Sequence, residues 1–112
     1  ACMKVLPRYW ADCVSTDFSE LDPLRTVAVL PLGATEQHGP HLPLNTDTLI
    51  AEEVAERSLH HTDGLLVGPT ISVSASGEHA GFPGTLSIGE ATTTAVVVEL
   101  VRSADWAAGV VR

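Results

Sequence analysis

Residues 26–47, TVAVLPLGATEQHGPHLPLNTD, join a short apolar run to a long loop, and this junction decides the fold. The apolar run occupies residues 26–32 and ends at Gly33, a pattern typical of a strand buried on both faces in a parallel sheet. Residues 33–46 are rich in glycine, proline, histidine and polar side chains. The loop therefore leaves the carboxyl end of a buried strand, where α/β proteins usually place their active sites.

A helix is predicted after this loop, followed by a second strand and a second loop. Thr46 or Asp47 can serve as the N-cap of the helix, which is expected to end near Leu59. Its apolar face is expected to contain Ile50, Ala51, Val54, Ala55 and Leu59. The second buried strand is predicted over residues 65–73, and a glycine-rich loop occupies residues 74–85.

The segment 90–107 contains conflicting signals. Its threonine and valine runs favour a strand, whereas apolar residues at i, i+3, i+4 and i+7 from Val97 favour a helix, and the length of the segment agrees with a helix. We therefore predict a helix, followed by the start of a third strand at residues 109–112. This order predicts a right-handed parallel α/β unit within a three-layer α/β/α fold, with a mainly parallel sheet.

An N-terminal arm is predicted over residues 7–24. A short helix in the arm is expected to be capped by Thr16 or Asp17 and to end near Leu21. Trp10 and Trp106 belong to no motif, and both are expected to be packing residues.

The composition limits the function classes that this chain can serve. Its 112 residues suffice for a single domain, residues 1–112, and 45% of them are hydrophobic. A formal net charge of −8 disfavours binding to nucleic acid and to anionic membranes. No stretch approaches the roughly 20 apolar residues that span a bilayer. Cys2 and Cys13 lie outside any CxxC pattern, which favours unreactive thiols in a reducing compartment and hence the cytoplasm.

The first loop carries a candidate metal site. Glu36 and His38 are two residues apart, so their side chains point to the same side of an extended backbone. Asp47 lies near a predicted helix N-terminus, which stabilises a carboxylate. Two carboxylates and an imidazole suit Zn²⁺, Mn²⁺ or Fe²⁺. His41 could be a further ligand, or it could shape the turn between the neighbouring prolines.

Two motifs together resemble those of a known family. Residues 30–47, LPLGATEQHGPHLPLNTD, closely resemble the hallmark of the creatininase family of metal-dependent amidohydrolases. SGEH at residues 76–79, followed by FPGT at residues 82–85, resembles the second N-terminal signature of that family. The resemblance covers roughly residues 9–112, and its first motif is highly specific.

The resemblance implies a centre of two divalent metal ions, Zn, Mn or Fe, that hydrolyses a C–N amide bond. Glu36 would bind one ion, His38 the other, and Asp47 both. Four residues would lie at the substrate pocket: His41, Ser76, Glu78 and His79. For His79, lining the pocket and structuring the loop by a hydrogen bond are both open, and residues 82–85 are expected to shape the loop. No catalytic residue beyond the metal ligands is implied in this chain.

The resemblance also implies that the site is incomplete in these residues. Family members are about twice as long, and they supply further ligands from a loop after the next strand. We therefore expect the chain to be the N-terminal half of a creatininase-like domain, truncated after its second βα unit and inactive alone. The missing half, or a complementary C-terminal fragment, would complete the site. Alternatively, the chain is a remnant that binds metal weakly or only oligomerises.

The family resemblance leaves the substrate open between creatinine, a formamide and a short peptide. Residues 76–85 most resemble the branch that trims the precursor peptide of mycofactocin, a redox cofactor. Members of the family are typically hexamers, so the resemblance also implies a homo-oligomer.

Overall fold

Two short parallel strands form the centre of the fold in the computed structural model, which describes residues 5–108, with side chains through Asp105. Strand β1 is Val27–Val29 and strand β2 is Leu65–Val67. They pair in parallel with Val27 opposite Leu65 and Val29 opposite Val67. The predicted parallel α/β unit is therefore confirmed. The proposed third strand at residues 109–112, like Cys2, lies outside the described residues.

The strands are shorter than predicted. One isolated bridge, between Leu32 and Ile71, continues this pairing, and another joins Tyr9 of the N-terminal arm to Val67 of β2. Pro31 and Pro69 have no N–H group to donate, so they interrupt the ladder between the paired strands and the bridge of Leu32 with Ile71. The prediction of one strand over residues 26–32, and of another over residues 65–73, was therefore too long.

Burial of the first apolar run on both faces was also wrong for the described residues. Val27 is 58% exposed and Leu32 is 48% exposed, whereas Leu66 and Val67 of β2 are buried. Within residues 5–108, β1 has β2 as its one strand partner, and the N-terminal arm pairs with β2 instead. Apolar side chains of β1 consequently face fewer neighbours than those of β2.

Helix α1 spans Thr46–His61 and packs on β2. Asn45, rather than Thr46 or Asp47, occupies the N-cap position, although its side chain makes no capping hydrogen bond. Ala55 and Leu59, which belong to the predicted apolar face, are buried against Val67. The core here is small.

The remainder of the predicted apolar face of α1 is only partly buried. Ile50 is 57% exposed and Val54 is 60% exposed, and with Leu49 they form what we call the outer face of α1. Thr48 is buried in their place, because its hydroxyl donates a hydrogen bond to the Ala34 carbonyl oxygen at 3.1 Å. The helix therefore uses a polar residue to contact the loop and leaves large apolar residues exposed.

Helix α2 spans Gly89–Ala108, which confirms the helix predicted from the spacing of its apolar residues. Leu100, Val101 and Ala104 line an apolar cavity of about 220 Å³, together with Trp10 and residues of β1. Among the helices of the described residues, none combines the length and the hydrophobicity that spanning a bilayer requires.

The N-terminal arm contains two short 3-10 helices, Trp10–Asp12 and Ser15–Glu20. Val14 occupies the N-cap position of the second one, so the prediction of Thr16 or Asp17 as the cap was wrong. Asp17 instead lies at the third helical position, where its buried carboxylate accepts a hydrogen bond from the Val14 N–H at 2.8 Å. Trp10 packs against Phe18, with 4.7 Å between ring centroids, in agreement with a packing role. The Trp106 side chain lies outside the described residues.

Candidate metal centre

The first residues of the loop that follows β1 are held in place by contacts with the second loop and with α1. The Ser74 hydroxyl donates a hydrogen bond to the Gly33 carbonyl oxygen at 2.7 Å, and the Thr35 hydroxyl donates one to the Ser72 carbonyl oxygen at 2.7 Å. Gly33 also lies directly against Thr48 of α1, so that a Cβ atom at residue 33 would be 2.6 Å from the Thr48 Cα atom. The start of the loop is thereby fixed to both the helix and the second loop.

The loop then forms a short hairpin over residues 36–44. The Glu36 N–H donates to the Leu44 carbonyl oxygen at 3.1 Å, and His38 and Leu42 form an antiparallel bridge. Gly39 has a φ of 77° at the start of the turn, a conformation that glycine adopts without strain. The backbone around Glu36 and His38 is therefore extended, which is the basis on which the sequence placed them on one side.

Glu36, His38 and Asp47 come together at the base of this hairpin. One possible ligand atom from each lies within 4.8 Å of the other two, and all three side chains are half-buried. The closest pair is His38 Nε2 and Asp47 Oδ1, at 3.2 Å. Asp47 reaches His38 because α1 begins directly after the hairpin, with Asp47 in its first turn.

The ring of His38 is held by its other nitrogen. Nδ1 lies 3.0 Å from the backbone carbonyl oxygen of Glu36, which can only accept, so Nδ1 carries the proton. This hydrogen bond is the main cause that raises the pKa of His38 above 6.5; burial acts in the opposite direction, and the Asp47 and Glu36 carboxylates add to the increase. In the neutral ring, the lone pair is therefore on Nε2, the atom beside Asp47.

This donor set fits a divalent metal ion. An imidazole nitrogen and two carboxylates are ligands that Zn²⁺ and Mn²⁺ accept. Metal-binding histidines usually donate their second N–H to a carbonyl or carboxylate, as His38 does to Glu36. Three side chains do not complete the four-coordinate shell typical of zinc, and two ions require more ligands still.

The second loop brings another group to the same carboxylate. Glu78 and His79 lie in the 3-10 helix Gly77–His79, and with Glu36 they form a second set of possible ligands within 4.8 Å of one another. Glu78 is exposed and His79 is half-buried. Of the seven residues that the sequence singled out, five therefore lie in one connected group.

The other two residues, Ser76 and His41, belong to neither group of the described residues. Ser76 is fully buried, and its hydroxyl has no hydrogen-bond partner within residues 5–108. His41 is exposed at the turn of the hairpin. Residues 82–85 support the loop: the Thr85 hydroxyl accepts a hydrogen bond from the Gln37 N–H at 3.1 Å.

Sequence reasoning missed Gln37. Its side-chain Nε2 lies 2.9 Å from His79 Nδ1, and its Oε1 accepts a hydrogen bond from the Gly39 N–H at 3.1 Å. The signal was present in the alternation of the strand, because a residue between Glu36 and His38 points to the opposite side. Without knowing that the second loop lies on that side, the sequence gives Gln37 no partner.

Comparison with known proteins agrees with these motifs. A family model described as creatinine amidohydrolase, Creatininase, matches residues 11–111. The mycofactocin precursor peptide peptidase of Mycolicibacterium smegmatis is 44% identical over 98 residues, or 82% of this chain and 40% of the relative. The enzyme of the same name from Mycobacterium tuberculosis is 48% identical over 83% of this chain and 41% of its own length. The creatinine amidohydrolase of Pseudomonas putida is 40% identical over 68% of this chain and 31% of its own length.

Solved structures agree with the fold. A creatininase described as the Mn form has a TM-score of 0.79 and 29% identity, covering 89% of this chain and 41% of that one. A mutant creatininase of the Zn–Zn type has a TM-score of 0.78 and 30% identity, covering 88% of this chain and 40% of that one. The chain thus spans about 40% of the length of the relatives from the two mycobacteria.

Proposed function

The chain belongs to the creatininase family, and on that premise we propose that it supplies the first ligands of a metal centre that hydrolyses a C–N amide bond. The proposal depends chiefly on one observation, the group formed by Glu36, His38 and Asp47 at the end of β1. The order and spacing of both loop motifs support it.

In the proposed centre, Glu36 would be a ligand of one ion, His38 of the other, and Asp47 of both. Two divalent ions, when bound, activate water and polarise the substrate carbonyl. The chain contributes the geometry: His38 keeps its proton on Nδ1 and presents Nε2, and the first turn of α1 holds Asp47 beside it. The solved creatininases described as the Zn–Zn type and the Mn form favour zinc or manganese as the ions. Iron is the third choice that the donor set and the family resemblance allow.

We infer that residues 1–112 form the N-terminal half of a larger creatininase-like domain. The ligand count supports this, because three side chains cannot saturate two ions. The remaining ligands would come from a segment equivalent to the rest of the relatives, on the same chain or on a complementary fragment. We propose that the chain has little or no hydrolase activity by itself.

Short peptides are the substrate class that we favour. The relatives from Mycolicibacterium smegmatis and Mycobacterium tuberculosis are named as peptidases of the mycofactocin precursor, and their identities of 44% and 48% exceed the 40% of the Pseudomonas putida enzyme. That enzyme is named for creatinine, which supports creatinine as the alternative substrate. A formamide is the other alternative that the family resemblance implies.

We also propose self-association, to a hexamer as the family resemblance implies. The outer face of α1 offers an apolar surface for contact with a second copy of the chain, since its Ile50 and Val54 are more than half exposed. We propose the cytoplasm as the location, on the cysteine pattern of the sequence. The net charge of −8 again disfavours nucleic acid as a partner.

Calorimetry of the 112-residue chain with Zn²⁺ and with Mn²⁺ tests the metal centre. We expect weak binding that is lost in Glu36→Gln and in Asp47→Asn. Glu56→Gln is the matched control, because Glu56 is an exposed carboxylate on the same helix as Asp47. Equal binding by all four proteins would contradict the proposed ligands.

A chimera tests the activity. Residues of this chain replace the matching residues of the Mycolicibacterium smegmatis peptidase, which then supplies the remainder of its own site. We expect the chimera to cleave the mycofactocin precursor peptide and its Asp47→Asn variant to lose that activity. A folded, metal-loaded chimera that cleaves neither this peptide nor creatinine would favour the alternative of an inactive remnant.

A further inference from the structure

His79 lies between two carboxylates and beside an amide. Its Nε2 is 3.8 Å from Glu36 Oε1 and 4.0 Å from Glu78 Oε1, while its Nδ1 is 2.9 Å from Gln37 Nε2. By distance alone, His79 could be a metal ligand through Nε2, as the second set of possible ligands indicates. Which nitrogen carries the proton decides between ligand and donor.

The orientation of the Gln37 amide is fixed by the backbone. The Gly39 N–H can only donate, and it lies 3.1 Å from one end of the Gln37 amide, so that end must be the oxygen. The other end is then the NH₂ group, which is the group 2.9 Å from His79 Nδ1. An amide that was rotated by 180° would place its NH₂ against the Gly39 N–H, donor against donor.

The Gln37 amide in turn determines the tautomer of the His79 ring. Since the NH₂ group donates, Nδ1 must accept and cannot carry a proton. A neutral imidazole has one proton, so in His79 it is on Nε2. Nε2 lies 3.8 Å from the Glu36 carboxylate and 4.0 Å from that of Glu78, beyond direct hydrogen-bond distance, and the partial positive charge of its N–H is attracted to both.

We propose that His79 is a positioning residue that orients the Glu36 carboxylate through its Nε2–H, and that it is not a metal ligand. The proposal rests on the proposed function for the role of Glu36 as a ligand. The two histidines of the site are then in opposite tautomers. His38 keeps its proton on Nδ1 and offers Nε2 to an ion, whereas His79 keeps its proton on Nε2 and offers it to a ligand of that ion.

The tautomers are measured directly by long-range ¹H–¹⁵N NMR of the 112-residue chain, labelled on histidine, at a pH where the rings are neutral. His79→Leu assigns the His79 signals. We expect a bare Nδ1 and a protonated Nε2 in His79, unchanged when Zn²⁺ is added. A proton on Nδ1 of His79, in the other tautomer or in an imidazolium, would overturn the proposal, as would loss of the Nε2 proton on addition of Zn²⁺.

Zn²⁺ affinity of two variants distinguishes positioning from ligation. His79→Leu removes the donor, whereas the amide of Gln in His79→Gln can still donate from near the Nε2 position. We expect His79→Leu to weaken Zn²⁺ binding by about 10- to 100-fold, a typical effect of losing a partner of a ligand, and His79→Gln to restore most of it. A direct ligand role predicts equal losses in both variants, and that result would overturn the proposal.

His60→Leu is the control, because it removes an exposed histidine from the last turn of α1 and should leave the affinity unchanged. Far-ultraviolet circular dichroism of each variant reports whether the fold is retained. If the unmodified chain binds no Zn²⁺, the proposed metal centre fails, yet the NMR experiment still decides the tautomer of His79. The two proposals can therefore fail separately.

Discussion

Gly33→Ala is expected to destabilise the fold and to disturb the metal centre together. A Cβ atom at residue 33 would lie 2.6 Å from the Thr48 Cα atom, whereas ordinary contact begins at 3.4 Å. The obstacle is helix backbone, so no side-chain rotation relieves it, and the start of α1 must move by close to an ångström. Overpacking of this kind costs about 1–3 kcal/mol. The hydrogen bond from Thr48 to Ala34, worth about 1 kcal/mol, is strained by the same movement.

We therefore expect the free energy of unfolding to fall by about 2–3 kcal/mol, a large share of the stability of a small domain. Urea denaturation followed by circular dichroism measures this loss. Zn²⁺ affinity should also fall, because the moving turn carries Asp47 away from His38.

Gly77→Ala is the matched control, since a Cβ atom at residue 77 meets nothing within 4 Å. Its stability should stay within about 0.5 kcal/mol of the unmodified chain. If Gly33→Ala proves as stable as Gly77→Ala, the close approach of the loop to α1 is wrong, and with it the account of how Asp47 is held.

Three further predictions concern the site. In the chimera, Asp47→Ala should release both metal ions together, as measured by metal analysis, and loss of a single ion would contradict a ligand role toward both. Zn²⁺ affinity of the 112-residue chain should fall as the pH is lowered through the raised pKa of His38, because the proton and the ion compete for Nε2. Below that pKa the fall should be about tenfold per pH unit. Calorimetry at several pH values near and below 7 measures it, and a constant affinity would refute the competition. Thr85→Val should cost about 1 kcal/mol in urea denaturation, because the Gln37 N–H loses its acceptor. Thr94→Val, at an exposed position of α2, should cost less, and equal losses would argue against the contact between the two loops.

Local periodicity accounts for what the sequence could predict. The two-residue spacing of Glu36 and His38 placed both on one side of an extended segment, and the structure has them there. The apolar spacing from Val97 predicted a helix against the β propensity of its valines, and α2 confirms it. Both are properties of the chain over a few residues.

Contacts between distant segments account for what the sequence could not predict. Gln37 acquires its role only because the second loop lies against the first, 42 residues along the chain. On the buried side of α1, Thr48 takes the place of larger apolar residues because its hydroxyl donates a hydrogen bond to the Ala34 carbonyl oxygen. Ile50 and Val54 are exposed because no described element covers that side of the helix, which periodicity cannot reveal.

The hairpin of residues 36–44 has a consequence for how this segment can vary in length. Side chains alternate along it, so one inserted or deleted residue between Gly33 and Glu36 would turn Glu36 and His38 away from Asp47 and bring the opposite side of the strand, which carries Gln37, toward it. Insertions near Gly39 and His41, beyond the bridge between His38 and Leu42, would leave that alternation intact. Long loops add little closure entropy per residue, so the turn can lengthen at small cost. Natural and designed length changes should therefore be tolerated at the turn and excluded from the four residues that follow Gly33.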